Sequence, residues 1–339
     1  MPKTTPLSAL PLAPIRRAVV FGSLGFLGRE VTRQLLGQGA ELLGIDMRPY
    51  PGALPQGYLH SDQGAANLAG ALGEAADFLR KADQNKPGHV LFLHLAGLAD
   101  AGACQRNPER ARELNVDLVA KVLAALADLD CAFIFPSTGI VYSDGLDRPA
   151  TEEDPLIPAA EYARGKIEAE KLVRAACQQG TLSGAIVRLS NLYGPESGEN
   201  TVVGRVLAQV RAGGPVQVWD ESPVRDFLHV TEAAEGILRL GLAASAQGGC
   251  ITANLSTGTG ASIGLLIDFC AELFHIPRLP QERPRPKELR ASHLVLDNHR
   301  LQALTGWKPR VDLRQGLSLC IPAQDNAPIT TPPNTPKST

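Results

Sequence analysis

The chain has 339 residues, 44% of them apolar and 20% charged, the make-up of an ordinary globular protein with enough core for one large domain or two smaller ones. Its 33 Lys and Arg nearly balance 35 Asp and Glu, a formal charge of -2, which gives no support to nucleic acid or an anionic membrane as the main partner. No stretch reaches the roughly 20 apolar residues that span a membrane, and the N-terminal MPKTTPLSALPLAPIRR is broken by prolines and lacks a signal-like apolar core. A cytoplasmic location is expected. The six cysteines, Cys104, Cys131, Cys177, Cys250, Cys270 and Cys320, are scattered without C-x-x-C or Cys/His metal spacing. They read as buried free thiols in a reducing compartment, with no metal implied.

Along the chain, short β-rich runs alternate with Ala/Leu-rich helical stretches, the pattern of a parallel sheet with helices on both faces. AVVFGS (18–23) reads as a buried first strand, with a helix from about 26 to 38. ELLGID (41–46) is the second strand, and HVLFLHLAG (89–97) a later one after a long helical region. PERARELNVDLVAKVLAALADL reads as a helix, and CAFIFPST (131–138) as the strand after it. EYARGKIEAEK opens a helix to about Gln178, before the strand GAIVRLSNLYG (184–194). Beyond Gly194 the alternation loosens and Pro, Gly and Arg become frequent, which predicts a second, smaller region. Both ends have little to bury and are expected as disordered tails.

GSLGFLG puts Gly22, Gly25 and Gly28 directly after the first strand and at the start of a helix. Glycines there allow a tight turn and close backbone approach, with a pyrophosphate facing the helix N-terminus. In this strand–turn–helix setting the G-x-x-G-x-x-G spacing points to a dinucleotide, with Phe26 and Leu27 among the candidate contacts. Asp46 ends the second strand, where a carboxylate accepts the adenosine ribose hydroxyls and repels a 2′-phosphate. That favours NAD over NADP, although Arg48 close by can soften the preference. Asp62 sits where a side chain could meet the adenine amino group. Tyr162 lies four residues before Lys166, so a helix brings phenol and ammonium onto one face. By spacing alone this is an ordinary solvated turn; after the PSTGIVY strand of a nucleotide-binding chain it reads as an acid/base pair.

With GSLGFLG, HLAGLAD, NV at 115 and 116, PSTGIVY, YARGK, RLSNLYGP, RDFLHV and LTGWKP in this order, the chain resembles the extended short-chain dehydrogenase/reductase family. Within it, the likeness is nearest to nucleotide-sugar epimerases of the UDP-glucose 4-epimerase type, from about residue 17 to 319. The resemblance implies an α/β fold: a doubly wound Rossmann domain with a seven-stranded parallel sheet, and a smaller discontinuous C-terminal substrate domain. We expect the NAD-binding domain over 15–190 and 223–257 and the substrate domain over 191–222 and 258–320, between tails at 1–14 and 321–339. The resemblance further implies that Ala96 and Gly97 line the cofactor and that Asn115 belongs to the cofactor site by stabilising the central strand and helix. Thr138, Tyr162 and Lys166 would be catalytic, Tyr162 and Lys166 touching the cofactor as well. Asn191 would hold the substrate's diphosphate region, with Arg225 and Arg285 on its phosphates. The substrate would be a nucleotide-diphosphate sugar. A homodimer through the helices near 105–128 and 162–178 is also implied.

The chemistry suits these side chains. A hydride leaves a sugar carbon only if that carbon's hydroxyl also loses its proton, and Tyr162 as phenolate would take it. A free phenol titrates near 10, so a nearby ammonium and a positive nicotinamide are needed to favour the charged form. Thr138 would hydrogen-bond the reacting oxygen. Dehydratases of the family carry Asp-Glu straight after this Thr, and the decarboxylating relatives keep the Glu. Here Gly139-Ile140 stand there, which disfavours both reactions. Epimerisation at C4 is the leading expectation, and one-way redox by a dehydrogenase or 4-keto-sugar reductase is the alternative. A silent nucleotide-binding regulator is disfavoured by the retention of Tyr162 and Lys166. The cluster Arg283, Arg285, Lys287 and Arg290 is a candidate anion site, an ion pair with Asp226 or Glu221 is the alternative role for Arg225, and Trp307 is expected to close the small domain. His94 and His229 read as core or backbone-bonded residues.

Overall fold

The structure, a computed structural model, describes residues 14–62, 67–82, 88–180, 182–281 and 292–321. Arg285 with the rest of its cluster, and nearly all of the two expected tails, lie outside the described residues. The N-terminal half runs β1 (Ile15–Phe21), α1 (Phe26–Gly37), β2 (Glu41–Ile45), β3 (Tyr58–Ser61), α2 (Leu68–Arg80) and β4 (His89–His94). Next come α3 (Ala101–Arg106), α4 (Pro108–Arg112), a π-helical turn at Glu113–Asp117, α5 (Leu118–Ala125), β5 (Ala132–Thr138), α6 (Glu161–Gln178) and β6 (Ser183–Leu189). The rest comprises β7 (Asn191–Tyr193), α7 (Val202–Arg211), β8 (Val224–His229), α8 (Val230–Gln247), β9 (Cys250–Leu255), β10 (Gly260–Ser262), α9 (Ile263–Phe274), β11 (His293–Leu294), α10 (His299–Thr305) and α11 (Leu313–Ser318).

Among the described residues, seven strands form one parallel sheet in the order β3-β2-β1-β4-β5-β6-β9. Its central strands are apolar almost without a break because helices cover both faces. One face packs against α1 and α8 through Val31, Leu35, Ile237 and Leu240. The other packs against α2, α5 and α6 through Leu72, Leu79, Val122 and Val173. The strand order reverses between β1 and β4, and the loops at the C-terminal ends of those strands open the crevice where ligands bind in such sheets.

A second, small sheet is built around β8, which pairs antiparallel with β10 and parallel with β7 and β11. Residues 224–229, grouped above with the nucleotide-binding part, thus belong by pairing to this sheet. Its own core joins Tyr193, Val206, Phe227, Ile267 and Leu317. The helix expected over residues 108–129 is divided into α4, the π turn and α5, because Asn115 within the π turn points inward to bond the chain after β4. Of the six free cysteines, five are buried and Cys250 is partly exposed.

Trp307 corrects one expectation. It does not close the small domain; it is 2% exposed and belongs to the core of the large sheet with Leu301, Leu238 and Leu255. α10, just before it, packs on α8 and β9 and carries the ring there. Trp307→Ala should therefore cost about 3–5 kcal/mol in urea unfolding of the large sheet, and a loss below about 1 kcal/mol would show that the ring is not an anchor of that core.

Candidate active site

The turn after β1 is as tight as its glycines suggest. Gly22 has φ +94°, and a Cβ on it would meet the Ala96 nitrogen at 2.7 Å; one on Gly28 would meet the Gly22 carbonyl oxygen at 2.0 Å. Gly25 is the N-cap of α1, with no capping side chain and no acidic residue in the first turn. The first N–H groups of that helix, at Phe26, Leu27 and Gly28, are thus left for an anion. Gly22, Gly25, Asp46, Ala96 and Gly97 line one cleft of about 480 Å³ at the strand ends, together with Met47, Arg48, Arg110 and Lys121. A glycine cradle, an uncapped helix start and a carboxylate at the end of β2 fit a dinucleotide.

Asp46 is almost fully engaged. Its Oδ2 accepts from the Leu24 N–H at 2.9 Å, and its Oδ1 accepts from the N–H groups of Met47 and Arg48 and from Arg48 Nε at 3.0 Å. Burial would push this carboxyl up, but the Arg48 hydrogen bond and the backbone donors hold it below the usual range. Asp62 follows β3 and is exposed, outside the lining of this cleft. Asn115 reaches the cleft only through the backbone: its Oδ1 accepts from the Leu98 N–H at 2.8 Å and its Nδ2 donates to the Leu98 oxygen at 3.0 Å. A Cβ on Gly97 would strike that Oδ1 at 2.8 Å, so the two residues fix one turn together.

α6 brings Tyr162 and Lys166 to the end of β5. Lys166 is 8% exposed, its Nζ donates to the Pro136 oxygen at 2.8 Å, and it stands 4.5 Å from the Phe135 ring centre and 5.8 Å from that of Tyr162. Thr138 follows Pro136 by two residues, and its Oγ1 accepts from the Ile140 N–H at 3.4 Å. Burial brings the Lys166 ammonium down to about 8, opposed by Glu170 and Cys104. Burial, then the Cys104 sulfur, holds the Tyr162 phenol above its ordinary range. Lys166 alone therefore does not make Tyr162 a phenolate. Next in the chain, a Cβ on Gly139 would meet Leu296 at 2.9 Å and the Leu189 oxygen at 3.2 Å, so any side chain there would have to displace the end of Leu296.

A buried network, unread in the sequence, stands behind this pair. Glu170, one turn beyond Lys166, is bidentate with Arg188 of β6: Nε to Oε1 at 3.0 Å and Nη2 to Oε2 at 2.7 Å. Arg188 Nη1 donates to the Tyr142 hydroxyl at 2.8 Å, and that hydroxyl donates to Asn254 Oδ1 at 2.7 Å. Burial pushes the Tyr142 phenol up to about 12. The chain of contacts joins α6, β6, β9 and the segment after β5.

On the small-sheet side, Asn191 and Arg225 line a cleft of about 370 Å³ with Arg205, Gln209, Trp219 and Asp220. Arg225 donates to the Val224 oxygen and to Ser292 Oγ. The acids named as its possible partners are engaged elsewhere: Asp226 accepts from Thr257 and Gly258, and Glu221 pairs with Arg278. Arg205, Gln209 and Trp219 were not singled out from sequence. His94 is packed among Phe21, Phe133 and Phe135, and burial holds it neutral, near 3. His229 Nδ1 pairs with Thr231 Oγ1 at 2.8 Å. Among the described residues no cluster of His, Cys, Asp and Glu could hold a metal ion, and no helix is long and apolar enough to cross a membrane.

Glu170→Gln removes a charge that favours the Lys166 ammonium. We expect the alkaline limb of the pH–rate profile to move to lower pH, because the ammonium is then lost sooner as pH rises. Leaving Arg188 buried without its carboxylate should also cost about 3–5 kcal/mol in urea unfolding. An unmoved alkaline limb in a folded variant would separate Glu170 from Lys166.

A family model described as NAD dependent epimerase/dehydratase family matches residues 18–251. The chain is 28% identical over 317 residues to UDP-glucose 4-epimerase of Mycolicibacterium smegmatis, covering 90% of this chain and 97% of that protein. It is 27% identical over 334 residues to dTDP-6-deoxy-L-talose 4-dehydrogenase (NAD(P)(+)) of Kitasatospora kifunensis, covering 95% and 100%. Among solved structures, UDP-glucose 4-epimerase of Thermus thermophilus in complex with NAD superposes with a TM-score of 0.74 at 26% identity, over 90% of this chain and 97% of that one. With its doubly wound sheet, glycine cradle and these matches, the chain belongs to the NAD-dependent epimerase/dehydratase family and uses NAD.

Proposed function

We propose that the protein epimerises a nucleotide-diphosphate sugar at C4, with NAD held in the cleft at the end of β1. The observation that carries this reading is the acid/base end of the site. Half-buried Tyr162 and buried Lys166 stand together on α6, with Lys166 bonded to the strand that ends in Thr138, while the next two positions, Gly139 and Ile140, carry no acid for water elimination. Gly22, Gly25, Gly28, Asp46, Ala96 and Gly97 hold the dinucleotide, and Asn115 fixes the turn that carries Gly97. When bound, NAD supplies the hydride acceptor and a positive ring that favours the Tyr162 phenolate. Tyr162 takes the proton of the C4 hydroxyl and later returns it, and Thr138 holds the oxygen on which charge develops. Lys166, anchored on the Pro136 oxygen, keeps its charge beside the tyrosine ring. Asn191 and Arg225 face the diphosphate, whose charge suits a guanidinium. Arg285 is proposed for the same group on the strength of the resemblance.

One observation favours a second reading. One relative matched over its entire length is a dTDP-6-deoxy-L-talose 4-dehydrogenase (NAD(P)(+)), and one-way oxidation or reduction at C4 needs the same residues. The two readings part when the purified protein is given a panel of UDP-, dTDP- and GDP-sugars. Epimerisation predicts a C4 isomer by chromatography with no net NADH and no added NAD. Steady NADH accumulation alongside an oxidised sugar would establish the dehydrogenase instead. With the substrate so found, Tyr162→Phe should lower the rate about a hundredfold or more while the protein stays folded; full activity in that variant would remove Tyr162 from the chemistry.

A further inference from the structure

Cys177, in the last turn of α6, and Cys250, the first residue of β9, are far apart in the chain yet meet over one strand position. That position is Gly184 of β6, which pairs with Cys250 in the large sheet. A Cβ on Gly184 would lie 2.5 Å from the Cys177 sulfur and 3.8 Å from the Cys250 sulfur. Gly184 has no positive φ, so its backbone conformation does not call for glycine; the space above it does. The two sulfurs take up the room of the missing side chain, and the thiols are hydrogen-bonded to each other. A free thiol that only fills a gap in a core needs no such partner.

The two thiols differ in access and in acidity. Cys177 is buried, whereas Cys250 is partly exposed on β9, the last strand of the sheet. The bond from Cys177, with the charge of Arg174 a turn earlier on α6, holds the Cys250 thiol below its usual range against the effect of burial. The same bond, together with burial, holds Cys177 above its own. A thiolate that solvent reaches, beside a shielded thiol, is the arrangement in which the first sulfur is oxidised and the second resolves it.

We propose that Cys250 and Cys177 are a peroxide-sensitive pair that closes to a reversible disulfide between the end of α6 and β9. The Cys250 thiolate attacks hydrogen peroxide: an S–O bond forms as the O–O bond breaks, and the departing hydroxide takes up a proton as water. Sulfur is thereby oxidised to a sulfenic acid and the peroxide is reduced. The Cys177 sulfur then attacks the sulfenic sulfur: the S–S bond forms, the S–O bond breaks, and hydroxide leaves with the Cys177 proton as a second water. A dithiol reductant reverses the change by exchange.

The test treats the full-length protein, reduced and desalted, with hydrogen peroxide, then alkylates the remaining thiols and digests without reduction. Trypsin is combined with Asp-N, because cleavage before Asp268 parts Cys250 from Cys270. We expect the loss of two of the six thiols, one cross-linked peptide pair joining Cys177 to Cys250 by mass spectrometry, and recovery of both thiols with dithiothreitol. Cys270 and Cys320, 0% and 1% exposed, should stay reduced and serve as the internal control. Cys177→Ser should stop at a sulfenic acid on Cys250 that dimedone captures, and Cys250→Ser should leave Cys177 a thiol. Wild-type protein that keeps all six thiols at a peroxide excess sufficient to oxidise free glutathione would overturn the proposal. So would oxidation of another cysteine while Cys177 and Cys250 are both alkylated, and dimedone on Cys177 of the Cys250→Ser variant would overturn the order of attack. The wild-type readouts need neither a variant that folds nor a sugar substrate.

Discussion

Arg188 and Glu170 face each other with 3% and 2% of their side chains exposed, and the seating of α6, which carries Tyr162 and Lys166, depends on that contact. Glu170 lies on α6 one turn beyond Lys166; Arg188 lies on β6, beside the strand that ends in Thr138. A buried ion pair is weak as a source of net stability, since desolvation offsets much of its attraction. Its geometry is demanding all the same. Two parallel N–H···O bonds hold the guanidinium and carboxylate in one plane, which fixes how α6 sits on the sheet. Tyr142 and Asn254 extend the constraint to β9, so a helix that could slide on an apolar surface is held in register.

The dinucleotide end depends on a different kind of constraint. There the backbone does the positioning, and side chains are excluded where it must come close: Gly22 against the Ala96 nitrogen, Gly28 against the Gly22 oxygen, Gly97 against Asn115. Side-chain charge enters only at the far edge, with Asp46 and Arg48. The backbone cradle and the Tyr162–Lys166 pair proposed as acid and base thus lie at the strand ends of a single sheet, the pair on a helix held by a buried salt bridge.

What the sequence revealed follows from how local each signal is. The glycine turn, Asp46 and the Tyr-Lys pair are read from spacing within one strand–turn–helix or one helical turn, so they were visible before any tertiary contact. Arg188 and Glu170 were not, because their significance arises only when β6 and α6 meet. Arg205 and Trp219 reach the Asn191–Arg225 cleft from a helix and a loop with no marked pattern of their own. Trp307 was assigned to the wrong core because its partners on α8 precede it by about seventy residues in a crossover that local periodicity does not record. The π turn at Asn115 was hidden for the same reason: the bond that requires it goes to Leu98, on the other side of α3 and α4.

The central claim is that one cleft removes and restores the same hydrogen at C4, with Tyr162 moving the accompanying proton. A sugar nucleotide deuterated at C4, identified as a substrate by its epimerisation, tests this most directly by mass spectrometry and NMR of the product. The account predicts that the deuterium stays on C4 of both epimers through many turnovers. Deuterium lost to water, or carried away on released NADH, would contradict it.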